Sequence, residues 1–388
     1  MFELKESELS IIGAAITTRE IKQQPQLWEE TFQTYKEHQL DISSFLLNIS
    51  DRHERIRIIF TGAGTSAYVG DTVTPYLKEK LDENKWDLMS IPTTTLVSNP
   101  YQYFKKDIPT LLISFARSGN SPESLAAVEL AKNMVKDLYQ ITITCASEGK
   151  LALNAEGDES NFLLLMPSNS NDQGFAMTGS YTCMTLAALL VLDPQATEVK
   201  EGYVSTICKM GSSVVEREED IQRYVDADVS RIVYLGSGSL EGLAREAQLK
   251  VLELTAGQIA TGFDSSLGYR HGPKSFVHEK SNIFVFVSNH PYTRKYDLDM
   301  LHELKEDAVA KHVCSIEITG EVNFNGESFQ FSEEAQSIPD AYIALPYVMF
   351  AQTISLLFSV KVGNKPDTPS PTGIVNRVVK GVTIHSYE

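Results

Sequence analysis

The sequence predicts an α/β protein: two tandem three-layer α/β/α domains with parallel sheets, an N-terminal helix before them and a C-terminal arm after them. Three observations predict this. Apolar runs of strand length alternate with helical stretches, the pattern of a parallel sheet covered by helices. The segment IRIIFTGAGTSAYVGD from Ile56 aligns with SRIVYLGSGSLEGLAR from Ser230, each reading as strand, G-x-G turn and helix, with Gly62 matching Gly236 174 residues later. That is a duplicated module, not a short-period array. Finally, 388 residues suit two or three domains at about 150 residues each.

The elements follow in order. Residues 19–50 place Ile21, Leu27, Phe32, Tyr35, Ile42, Phe45 and Leu46 at helical spacing, so 1–50 is a helical segment. The first domain, 51–195, opens with a strand at Ile56–Phe60, the Gly turn and a helix to about Leu81. Thr110–Phe115 is the next strand, followed by ARSGNSPES and a helix over Pro122–Val135; Leu138–Thr144 and Phe162–Met166 are further strands. Residues 196–228 are acidic and helical in pattern and read as a connecting helix. The second domain, 229–365, repeats the turn and adds strands at Ile283–Val287 and Val313–Ile318 around a helical stretch near 293–311. The tail, 366–388, is Pro-rich and then β-branched: a loop and a short strand or arm. Ala341–Val360 has twenty residues without a charge, nominally enough to cross a bilayer, and Phe175–Leu192 is similar. Pro346, Gln352 and the lack of Lys/Arg-rich flanks make both expected core helices.

Composition narrows the function. Apolar residues make up 42% and charged residues 22%, which is globular. Thirty-four Lys and Arg against 51 Asp and Glu give a net charge of −17, and the longest basic run is Lys105-Lys106. Such a chain repels nucleic acid and anionic lipid, so neither is an expected partner. Cys145, Cys183, Cys208 and Cys314 form no C-x-x-C pair, so they are expected as small buried hydrophobes in a reducing compartment. The opening MFELKESELS has no apolar stretch of a secretory signal, and a cytoplasmic location is expected.

Three loops can carry chemistry, since ligands of open parallel sheets gather at the carboxyl ends of strands. Gly62-Ala63-Gly64-Thr65-Ser66 turns into a helix whose first amides can face an anion. It lacks the Lys of a Walker motif, and Asp87 precedes the next apolar run where a ribose-binding acid would end it. In Arg117-Ser118-Gly119-Asn120-Ser121-Pro122, two hydroxyls and a free glycine amide lead into a helix with proline at its first position, which suits a monophosphate. The competing reading is a serine N-cap in an ordinary loop. The helix after Gly238 carries Glu246, Lys250 and Glu253 on one side, and from spacing alone Glu246–Lys250 reads first as a solvated i,i+4 ion pair. Downstream, Tyr269-Arg270-His271-Gly272-Pro273 holds a loop histidine, the side chain that titrates nearest neutrality.

Taken together, GAGTSAY at 62–68, SFARSGNSPES at 114–124, GFAMTGSYT at 174–182, EAQLKVLE at 246–253, RHGP at 270–273 and RVVKGVTI at 377–384 make residues 50–388 similar to a tandem pair of SIS (sugar isomerase) domains. The chain most resembles the AgaS-type tagatose-6-phosphate ketose/aldose isomerases or galactosamine-6-phosphate deaminases, and more distantly the isomerase half of glutamine–fructose-6-phosphate aminotransferase. The resemblance implies that Gly64, Thr65, Ser66, Ser118, Gly119 and Ser121 hold a sugar phosphate, with Arg117 a further candidate. It implies that Glu253 moves a proton between C1 and C2 with Lys250 one turn before it. His271 opens the ring, often from a neighbouring subunit; Lys380 of the arm closes over the sugar; Thr178 lies in the sugar-contacting loop. A homodimer or larger homo-oligomer with shared active sites is the expected assembly, with no cofactor and no metal.

The phosphate loop reads A-R-S-G-N-S where the aminotransferase has S-Q-S-G-E-T, so Ala116 cannot donate the first hydroxyl; Arg117 either pairs with phosphate instead or points to solvent. The Glu253-to-His271 spacing is also longer than in that relative. Aldose–ketose interconversion needs a ring-opening acid/base, a carboxylate for proton transfer and a group to stabilise the enediol oxygen. With an amine on C2, the same enolisation gives a C2 imine, and water then releases ammonia. Amidotransfer is not expected, because residue 2 is Phe2 and about 50 residues before the first strand are too few for a glutaminase domain. The rival class is a non-catalytic sugar-phosphate sensor.

Overall fold

The computed structural model describes residues 1–378 and 381–387. The chain divides into two compact units. One comprises 27–172, 179–197 and the described residues from 375; the other comprises 1–26, 173–178 and 198–374. We call them the first and second modules.

The first module is built on a five-stranded parallel sheet of β1 (Ile56–Thr61), β2 (Trp86–Ser90), β3 (Thr110–Ala116), β4 (Leu138–Thr144) and β5 (Asn161–Leu165), in the order β2-β1-β3-β4-β5. The second module has β6 (Arg231–Gly236), β7 (Ala260–Ser265), β8 (Ser281–Phe286), β9 (His312–Ile318) and β10 (Glu327–Phe331), in the order β10-β9-β8-β6-β7. Read from the other edge, that is the same topology. In each sheet the order reverses beside the first strand, between β1 and β3 or between β6 and β8, the point at whose carboxyl ends open parallel sheets form a ligand crevice.

The duplication holds at the level of single torsions. Gly64 and Gly238 cap the helices Thr65–Lys80 and Ser239–Leu254 with φ/ψ of 57/−129° and 59/−122°. That region is costly for any residue with a Cβ. Two residues earlier, a Cβ on Gly62 would run into the Ser66 backbone, and one on Gly236 into the Leu240 carbonyl. The aligned glycines therefore exist for two different reasons, a positive φ and a close helix approach. A third correspondence is proline at the first position of the helices Pro122–Met134 and Pro291–Asp307, which follow β3 and β8.

Central strands read clearly because both faces are covered: β3 and β8 are buried throughout. Three strands went unread in the sequence, β2, β7 and β10. All are edge strands with partly exposed, polar-rich sequences that carry no apolar run. Arg57, the charge inside β1, pairs with Asp87 directly across on β2 at 3.1 Å. Asp87 is thus absorbed in the sheet.

The two uncharged segments form core helices. Gly179–Leu192 is buried along its whole length. Asp340–Lys361 is buried from Ala341 to Ser359 inside the second module, against the helices Ser239–Leu254 and Glu218–Asp226. Its polar groups find internal partners: Gln352 accepts from Gln24 at 2.6 Å, and Ser359 donates to the Leu254 carbonyl at 2.6 Å. Elsewhere the helical expectations need correction. The N-terminal segment is three helices, Glu6–Ile11, Ala15–Lys22 and Gln24–Arg52, and the single connecting helix is two, Thr197–Glu216 and Glu218–Asp226, broken at Arg217. The tail forms no strand among its described residues. All four cysteines are buried and none is in a disulfide. Burial pushes the Cys145 and Cys314 thiols up to about 12.

Candidate active site

In the second module the Gly238 turn launches the helix Ser239–Leu254 with its inner face against Asp340–Lys361. That packing buries Lys250. Its side chain is 1% exposed, with Nζ 2.5 Å from Glu253 and 3.4 Å from Glu246. The solvated ion pair read from spacing is therefore wrong: spacing fixes which residues share a face, not what covers it. Glu246 is fully buried while the Glu253 side chain keeps 24% exposure. One cation thus sits between two carboxylates, and of these two Glu253 is the one that solvent reaches. The shared cation offsets one of the two negative charges, and the exposure of Glu253 lets water solvate the other. The i,i+4 spacing of Glu246 to Lys250 was visible in the sequence, but not that the pair is buried.

His271 lies in the turn that follows β7. Its backbone amide donates to the Gly268 carbonyl at 2.9 Å, Gly272 takes φ 124°, and the histidine itself is exposed. The loop is pinned on both sides to the helix Pro291–Asp307. Arg270 pairs with Glu303 at 2.5 Å, and Lys274 with Glu303 at 2.6 Å and Asp307 at 2.5 Å. Tyr269 beside it is buried, which raises its phenol above the usual range.

In the first module Thr65 and Ser66 are buried at the start of Thr65–Lys80, and the carbonyl of Gly62 accepts from the Thr93 amide and hydroxyl at 2.8 and 3.1 Å. On the neighbouring strand end, Gly119 adopts φ 66°, and the Ser118 hydroxyl accepts weakly from the Asn120 amide at 3.3 Å. Ser121 is the N-cap of Pro122–Met134: its oxygen accepts from the Ser124 amide at 3.4 Å, and its hydroxyl donates to Ser124 Oγ at 2.6 Å. The structure brings these loops to adjacent strand ends, at the carboxyl side of the β1/β3 crevice.

Arg117 does not point to solvent. It is buried, and its Nη2 donates to the backbone carbonyl of Arg377 at 2.7 Å. Arg377 in turn donates to the Asp172 carbonyl and, at 3.0 Å, to Asn171. Two arginines therefore fasten the middle of the C-terminal arm, at Arg377, to the first module. Lys380 lies outside the described residues. Thr178 is buried immediately before Gly179–Leu192. That helix is capped by the Asp172 carboxylate, which accepts from the Gly179 and Ser180 amides at 3.1 and 2.9 Å and favours the positive helix end. On the other side of Thr178, Glu20 accepts the amides of Gln173 at 2.5 Å and Gly174 at 3.2 Å. Asp172, Glu20 and Arg377 were not found from sequence, because nothing in their spacing marks the backbone groups they satisfy.

Known proteins resemble this chain along most of its length. The SIS domain model matches residues 52–192. The D-galactosamine-6-phosphate deaminase AgaS of Escherichia coli is 43% identical over 96% of this chain and 96% of its own length. The chain belongs to the AgaS family of SIS-domain proteins. A second AgaS relative, from Shewanella sp. strain ANA-3, is 39% identical over 99% of this chain and 95% of its own. The solved structure of tagatose-6-phosphate ketose/aldose isomerase from Escherichia coli superposes with a TM-score of 0.87 at 39% identity, covering 99% of each chain. The AgaS relatives match this chain along nearly its whole length, so the likeness spans both modules.

Proposed function

We propose that this AgaS-family enzyme is a deaminase/isomerase that converts galactosamine-6-phosphate and water to tagatose-6-phosphate and ammonia. The observation that carries the reading is the buried Lys250 between Glu246 and Glu253, with Glu253 the solvent-reached carboxylate of the pair. A structural ion pair has no need of a buried cation with one wet partner; proton transfer beside a stabilised oxyanion does.

The chemistry assigns each group a step. His271 moves the proton that opens the ring and exposes the C1 aldehyde. Glu253 takes the proton from C2, and the electron pair forms a C1–C2 double bond with charge on O1, which the Lys250 ammonium stabilises. Glu253 returns that proton to C1 and O1 takes a proton from the amino group, leaving a C1 hydroxyl and an imine at C2. Water adds to that carbon, the C–N bond breaks and ammonia leaves with the ketose behind. Thr65, Ser66, Ser118 and the Gly64 and Gly119 loops bind the phosphate, joined by Ser121 through its helix end; Thr178 and Lys380 contact the sugar. Arg117 acts on this site through the arm it holds. The exposure of His271 suits a homodimer in which that residue serves the partner's site. Residues 51–195 and 229–365 are the two SIS domains in this reading, and the enzyme is cytoplasmic.

The test is ammonium release from galactosamine-6-phosphate, with glucosamine-6-phosphate alongside and the ketose identified by NMR. Ammonium with tagatose-6-phosphate is expected. Aldose–ketose exchange without ammonium would replace the reading by plain isomerisation, and neither product by a sensor.

A further inference from the structure

The two modules use the same crevice differently. In the first, the loops after β1 and β3 keep Thr65, Ser66 and Ser118 for the phosphate under the reading above. In the second, the matching loops after β6 and β8, together with the loop after β7, converge on a carboxylate of the protein itself. Asp297, from the helix Pro291–Asp307, is fully buried. Its Oδ1 accepts from the hydroxyls of Ser237 and Ser266, each at 2.6 Å, and its Oδ2 accepts from the Ser288 amide at 3.0 Å.

Those three donors are not arbitrary. Ser237 sits in the Gly236–Gly238 turn that launches the helix of Lys250 and Glu253. Ser266 opens the segment that reaches His271 five residues later. Ser288 lies two residues past the end of β8, the strand between β6 and β9. The helix carrying Asp297 also carries Glu303 and Asp307, which hold Arg270 and Lys274 on either side of His271. Burying a carboxylate is unfavourable unless its acceptor positions are filled, and an apolar side chain would fill the same space without that cost. A carboxylate becomes the favoured residue when three loops must be held in a fixed mutual position, because one group then orients three donors.

We infer that Asp297 is a positioning residue that sets the proton-transfer helix against the ring-opening loop, occupying in the second module the crevice that the substrate phosphate takes in the first. The inference rests on the assignments of Glu253 and His271 made above.

Ser237→Ala and Ser266→Ala cut the two ties singly and Asp297→Asn weakens all three. Asp297→Asn is expected to lower kcat for ammonium release by on the order of tenfold to a hundredfold, with KM within about twofold, since misplacement by an ångström costs that much and phosphate binding belongs to the other module. Ser266→Ala is expected to lose more on closed-ring galactosamine-6-phosphate than on an open-chain analogue; Ser237→Ala is expected to lose equally on both. Backbone hydrogen exchange supplies a readout independent of turnover: amides in 266–272 should exchange faster in Ser266→Ala and Asp297→Asn. Should the wild-type chain release no ammonium, the function assigned above fails, while faster exchange would still establish the tether. Unchanged exchange in 266–272, or a loss of kcat with the same ratio on ring and open-chain substrates in both serine variants, overturns the inference. If Asp297→Asn does not fold, the serine variants decide it.

Discussion

Lys250 shows how far a single residue can be read from its neighbours in sequence. The i,i+3 and i,i+4 spacings placed it beside Glu253 and Glu246, and both pairings exist. Its burial was not legible, because the cover comes from Asp340–Lys361, some ninety residues downstream. Removing the cation leaves two carboxylates in a poorly solvated place, so Lys250→Met should destabilise the protein by about 3–5 kcal/mol as well as inactivate it, read by urea denaturation. Glu253→Gln should fold normally, since its carboxyl reaches solvent, and should still bind substrate while losing C1/C2 proton exchange by on the order of a hundredfold or more. Solvent-deuterium incorporation at wild-type rate in that variant would remove Glu253 from its role. The cysteines make a second residue-scale prediction. Burial holds the Cys145 and Cys314 thiols near 12, so the reactive thiolate is scarce, and a thiol reagent should label none of the four quickly in native protein and all four in denaturant.

At the scale of elements, the strand–turn–helix units were legible wherever a central strand met a Gly turn, and illegible at three of the four sheet edges, the apolar β5 being the exception. The Arg117–Pro122 segment was legible as a loop, but its two serines are not equivalent. Ser121 caps Pro122–Met134 through the Ser124 amide, whereas Ser118 makes one weak backbone contact among those described. Ser121→Ala should therefore lower stability by about 1 kcal/mol along with weakening substrate binding. Ser118→Ala should raise KM with little change in melting temperature. Equal thermal shifts in the two variants would show that the cap does not distinguish them. The arm was only partly legible: Arg117 was open to two readings from sequence, and its partner is the Arg377 carbonyl, a backbone group that no side-chain pattern announces.

For the whole molecule, the duplication was the most legible feature, carried by Gly62 and Gly236, and the torsions at Gly64 and Gly238 bear it out. What the alignment could not show is that the second copy fills its crevice with acids. Asp340 belongs to that group, accepting from Ser288 Oγ at 2.5 Å and the Asn289 amide at 2.8 Å. Burial first, and Asp297 nearby, push its carboxyl up to about 6 from 3.8. The folded state therefore binds this proton more tightly than the unfolded chain. Its contribution is fully present below pH 4 and is lost as pH rises through about 6, to a cost of about 3 kcal/mol at neutrality. Asp340→Asn should gain stability over wild type between pH 4 and pH 7, measured by denaturation at both; a difference that does not change with pH would contradict the shift.

The most direct test of the account is to incubate the wild-type protein and Glu253→Gln with galactosamine-6-phosphate and to follow ammonium and ketose together by NMR. The account predicts equimolar ammonium and tagatose-6-phosphate from wild type, and neither from the variant although it still binds the substrate. Ammonium from Glu253→Gln at the wild-type rate, or none from wild type, would contradict it.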